Sequence, residues 1–163
     1  MKKCVILMLT ILLMLSGCAA EETMETVSDE LDAPVMAQMR EISLVLPEEA
    51  ASPTVESDSE RLYLCEDYEI TIQILEGGDL NQTVKTLSGY DRDALTVMST
   101  RKDNLDSYEF VWASTGEQGE LVGRAMVLDD GCYHYCVSVL GDAQQAMENK
   151  VLWDDMFQSF TLA

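Results

Sequence analysis

Positive charge is scarce in this chain. Ten lysines and arginines stand against thirty aspartates and glutamates, a formal charge of −20 over 163 residues. Such a field repels phosphate backbones and anionic headgroups, which excludes nucleic acid as a partner and favours cations and basic proteins. Histidine is scarcer still: His134 stands alone, so no site can rest on several imidazoles. Gly-x-Ser-x-Gly does not occur. Ser99-Thr100-Arg101-Lys102 spells Ser-x-x-Lys, but it reads as the end of a strand rather than one helical turn, and neither Ser-Asp-Asn nor Lys-Thr-Gly follows. Long apolar runs are missing too. The run from Val5 to Leu15 is about eleven residues, roughly half of what a helix needs to cross a ~30 Å hydrocarbon core.

That run has a different use. Lys2 and Lys3 precede it and small residues follow it, the order of a cleaved export signal over residues 1–17. Leu15-Ser16-Gly17-Cys18 resembles the lipobox of bacterial lipoproteins. The resemblance implies cleavage before Cys18, diacylglyceryl modification of its thiol, and a chain tied to the lipid bilayer on the extracytoplasmic face of a bacterial cell membrane. Two acyl chains hold where one is marginal. Cleavage would remove two lysines and no acid, leaving the mature chain more negative still.

Residues 18–39 carry acids throughout, one proline and no sustained apolar period. They read as a self-repelling tether with a root-mean-square reach of about 25 Å. Residues 40–163 suffice for one core. Glu41 to Leu46 reads as a strand stopped by Pro47; Arg61 to Cys65 and Tyr68 to Leu75 read as a hairpin. In its second arm Ile70, Ile72 and Ile74 alternate with Glu69, Thr71 and Gln73, the period of a half-buried strand. Asp79 is placed to cap a helix running through Lys85 and Leu87 to Gly89. Strands are expected at 94–100, 106–114, 120–129 and 132–140, with Asp130-Gly131 as a type I′ turn, and a closing helix from Ala143 to Phe157. The expected fold is α+β, a mostly antiparallel sheet of about six to seven strands with two helices.

The stretch Asp129-Asp130-Gly131-Cys132-Tyr133-His134-Tyr135-Cys136 concentrates the reactive side chains. As a strand it puts Cys132, His134 and Cys136 on one face, with Tyr133 and Tyr135 opposite. Cys132 and Cys136 then lie about 13 Å apart, too far to share one zinc ion or a disulfide. No metal or other cofactor is expected. After loss of Cys4 and lipidation of Cys18, three thiols remain, an odd number. Cys65 with Cys136, or with Cys132, is the bridge to test, against buried free thiols.

The words Leu87-Ser88-Gly89-Tyr90, Tyr108-Glu109-Phe110-Val111-Trp112, Gly123-Arg124-Ala125, Asp129-Asp130-Gly131-x-Tyr133-His134-Tyr135 and Trp153...Phe157-x-Ser159-Phe160 resemble a PsbP-like α/β/α sandwich domain. They are also similar to small lipoproteins of anaerobic Gram-positive gut bacteria. The resemblance implies a non-catalytic accessory module that holds an envelope protein through one face of its sheet. The alternative is a small-ligand or cation-binding protein using the face around His134, Tyr133 and Tyr135.

Overall fold

The computed structural model describes residues 38–116 and 119–163; Cys18, the lipobox-like segment and all but the last two residues of the acidic tether lie outside them. Nine strands and two helices follow in order: β1 (Ile42–Ser43), β2 (Val55–Glu56), β3 (Glu60–Leu64), β4 (Tyr68–Glu76), α1 (Leu80–Ser88), β5 (Met98–Lys102), β6 (Leu105–Gly116), β7 (Gly119–Asp129), β8 (Tyr133–Asp142), α2 (Lys150–Ser159) and β9 (Thr161–Leu162). Seven strands form one sheet in the order β2-β3-β4-β8-β7-β6-β5, and β1 pairs with β9 separately. Every pairing is antiparallel. The α+β class read from the sequence is the one observed.

Period-two alternation divides the sheet into two faces. Tyr63, Tyr68, Ile70, Ile72, Leu128, Tyr135, Val137 and Val139 pack against Trp153, Met156 and Phe157 of α2 and against Phe160. Phe110, Trp112, Ala125, Val127 and Cys136 pack against Val84 of α1 on the other face. Each such fully buried large side chain contributes about 1.5–3 kcal/mol, so the central strands β8 and β7, with buried residues on both faces, carry most of the stability.

Local signals explain the elements. The Asp79 carboxylate accepts from Asn81 N at 2.9 Å and Gln82 N at 3.4 Å, and Gly89, at φ 79°, donates its N–H to Lys85 O. Both ends of α1 are thereby closed. α2 ends on a cation from the far edge of the sheet, where Lys102 Nζ donates to Phe157 O at 3.2 Å and Gln158 O at 2.8 Å; burial lowers the pKa of that ammonium.

Four expectations change. The first strand shrinks to Ile42–Ser43 because β9 offers only two partners, after which Val45 N turns to Ser159 Oγ. The fifth begins at Met98, since Asp91 O and Arg92 O capture Ala94 N and Leu95 N in a 3₁₀ turn. The closing helix starts at Lys150 rather than Ala143: the Asp142 side chain takes Gln144 N, and the carbonyls of Asp142 and Gln145 close two separate turns, on Gln145 N and Ala146 N and on Glu148 N and Asn149 N, in place of a continuous helical ladder. At the β7–β8 turn Gly131 has φ 89° and Cys132 is not left-handed, the pattern of type II′. The type I′ pair is Asp103-Asn104, φ 51° and 67°.

Candidate functional site

β8 delivers His134 to the α1 face, where the ring is buried. Thr83 Oγ1 of α1 lies 2.7 Å from His134 Nδ1. Across the hairpin Asp129, the register partner of His134, brings its carboxylate within 3.4 Å of Nε2. Hydroxyl, imidazole and carboxylate thus stand in line as in a nucleophile relay, but Thr83 is buried as well. The contact fastens α1 to the sheet. Hence the surface expected around His134, Tyr133 and Tyr135 is corrected: both ring nitrogens face inward partners, and the two tyrosines belong to the opposite core.

Tyr135 is spent on the turn. Its Oη donates to Asp130 Oδ2 at 2.9 Å and accepts from Arg40 N at 2.9 Å. Asp130 Oδ1 also accepts from Cys132 N and Tyr133 N. Burial alone would raise Asp130, but the two backbone bonds, the Tyr135 hydroxyl and the charge of Arg40 outweigh it and hold the carboxyl below its usual range. Chain entry into the domain is thereby pinned to the β7–β8 hairpin.

The three thiols are free. Cys65 packs at the margin of the α2-side core, while Cys136 lies in the α1-side core, so the sheet separates them and the Cys65–Cys136 bridge does not form. Burial pushes both thiols up, Cys136 much the further. Among the described residues no group of three His, Cys, Asp or Glu side chains could hold a metal ion.

What remains open is a surface that spacing alone does not reveal. α1 is nine residues long, and its buried Val84 packs among residues of β6, β7 and β8, with Leu75 at the end of β4 at the margin. On the same face β3 and β4 carry Glu60, Leu62, Leu64, Glu69, Thr71 and Gln73, none of them buried, whereas Tyr63, Tyr68, Ile70 and Ile72 on the reverse of those strands are buried. Between this bare half-face and α1 runs a groove of about 340 Å³ whose walls include Leu62, Thr71, Gln73, Ser138, Leu87 and Trp112. Trp112 is laid flat because Gly123 opposite has no side chain: a Cβ there would stand 2.1 Å from the indole.

No protein-family model and no curated protein matches this chain. Among solved structures it is similar to cyanobacterial PsbP (CyanoP) from Synechocystis sp. PCC 6803, with 17% identity, 75% of this chain and 82% of that one covered, and a TM-score of 0.49. It is likewise similar to the Ran-binding protein Mog1p of Saccharomyces cerevisiae, with 14% identity, 74% and 89% covered, and a TM-score of 0.49. Likeness at that level concerns the path of the backbone and leaves function to this chain's own residues.

Proposed function

We propose that this protein is a non-catalytic, lipid-anchored module of the bacterial cell envelope that holds another envelope protein on the extracytoplasmic side through the bare half of its α1 face. One observation carries the binding reading: Leu62, Leu64 and Val55 sit on an uncovered sheet face, with Leu64 and Val55 exposed, beside a groove of side-chain dimensions. Large apolar side chains left together on an open face mark an interaction surface. Anchoring is supported by Leu15 to Cys18 and the charge pattern before them.

A photo-crosslinking residue at Thr71, introduced in living cells, tests the reading, with the same residue at Asp91 as a position outside the groove and Cys18→Ser as the unanchored control. One reproducible protein neighbour, captured from Thr71 and lost with Cys18, is the expected result. Capture that is equal from Asp91, or none from Thr71, would remove the face from consideration.

A further inference from the structure

We infer that the groove accepts an extended peptide segment in which two cationic side chains flank an apolar one at alternate positions, Lys/Arg-x-apolar-x-Lys/Arg. This deepens the proposal that the bare α1 face is the binding face, and it rests on that proposal.

The register supplies the pattern. Three cross-strand rows cross the groove: Glu60–Gln73, then Leu62–Thr71–Ser138, then Leu64–Glu69–Leu140 leading through Gly123 to Trp112. Successive rows on one face lie two residues apart along the strands, about 6.6–6.8 Å, which is also the spacing of alternate side chains in an extended peptide. A segment laid along the strands therefore meets an acid, an apolar and hydroxyl row, and an acid flanked by leucines.

Charge fixes the sign of the partner. The residues lining the groove include Glu60 and Glu69 and no lysine or arginine. Four of the described domain's cations are paired elsewhere, Lys85 with Asp91, Arg101 with Asp106, Arg124 with Glu109 and Asp154, and Lys150 with Asp154, while Arg40 and Lys102 are held by backbone carbonyls. Among the described residues none forms an ion pair with Glu60 or Glu69. Glu60 instead accepts from Gln73 Nε2 at 2.7 Å, which orients its carboxylate over the first row.

The test uses the full chain and the peptide Lys-Ser-Leu-Ser-Lys, with its glutamate counterpart Glu-Ser-Leu-Ser-Glu as the reversed probe. The chain has two tryptophans, so Trp153→Phe leaves Trp112 as the single fluorescent reporter; the Trp112 indole resonance of the unaltered chain gives the same readout should that variant fold poorly. Saturable binding of the lysine peptide is expected, weakened at least tenfold by Glu60→Gln with Glu69→Gln and by Thr71→Arg, and unchanged by Asp91→Asn with Asp93→Asn. Equal binding of both peptides, or equal weakening by the two charge-neutral pairs, would overturn the inference by reducing it to diffuse attraction toward an acidic protein. Absence of binding would overturn it too. Crosslinking from Thr71 separates the levels: capture that survives Glu60→Gln with Glu69→Gln refutes the cationic peptide and keeps the face, whereas no capture refutes the face itself.

Discussion

Thr83 Oγ1 and His134 Nδ1, 2.7 Å apart and both buried, make the one polar contact of this kind between α1 and the sheet among the described residues. Replacing Thr83 by Val keeps the shape and strands the ring nitrogen, a loss of about 1–3 kcal/mol. Combining Thr83→Val with His134→Phe should cost less than the sum of the two single changes, since the Thr83–His134 contact is then removed from both sides at once. Urea midpoints of the four proteins check this, and amide exchange should show α1 opening earlier in Thr83→Val than in the parent.

Acid should weaken the β7–β8 turn in particular. Asp130 is held below its ordinary value of 3.8, so its contribution is present above that value and disappears as pH falls through the lower folded-state value. Asp130→Ala should therefore be clearly less stable than the parent at pH 7, with the gap narrowing below about pH 3.8. Denaturant midpoints at pH 7 and pH 3 decide it; a gap that stays constant between the two would show that the charge is not what holds the turn.

Trp153 is buried, edge-on to Tyr68, and its Nε1–H has no partner among the described residues. An orphaned buried donor costs about 1–3 kcal/mol. Trp153→Phe removes that cost along with some contact area, so it should shift stability by less than about 1 kcal/mol, where truncation of a buried aromatic to Ala typically costs about 3–5 kcal/mol. Thermal unfolding of the two variants side by side measures the difference.

Gly123→Ala forces a methyl against the Trp112 ring. Overpacking of this kind costs about 1–3 kcal/mol, and relief comes by tilting the indole into the groove. A red-shifted Trp112 emission should accompany the lost stability; loss of stability with unchanged emission would mean that the backbone yields instead.

Thiol reactivity should rank by position. Cys132 is exposed at the hairpin, Cys65 half-buried, Cys136 buried with its thiol pushed up by burial. In the native protein an aromatic disulfide reagent should label Cys132 first and Cys136 only upon unfolding. Mass spectrometry without reductant should find no Cys65–Cys136 peptide.

Legibility varied with how many residues an element spends on its own signal. β4 announced itself through Ile70, Ile72 and Ile74, and α1 through Asp79 and Gly89 ten residues apart, because both patterns are local. β2 and β9, two residues each, exist only by virtue of partners distant in sequence and leave no period to read. Asp142 diverted the start of α2 by side-chain and carbonyl bonds that an apolar stripe does not encode. The alternation that placed His134 on a face was right, yet whether that face is sealed or open depends on where a nine-residue helix comes to rest. For the same reason Glu69, Thr71 and Gln73 read correctly as the polar side of β4 without disclosing a groove.

The pairing of β1 with β9 has a mechanical meaning. Tension arriving from the N-terminal side of Arg40 would fall first on Arg40 N to Tyr135 Oη, on Arg40 Nη2 to Leu162 O, and on a ladder only two residues long. Bonds loaded in succession part at lower force than bonds sheared together, so β1 would peel away while the seven-stranded sheet and both helices keep their shape. The segment from Arg40 to Ser43 would then yield before the face that carries Thr71 and Trp112 is disturbed.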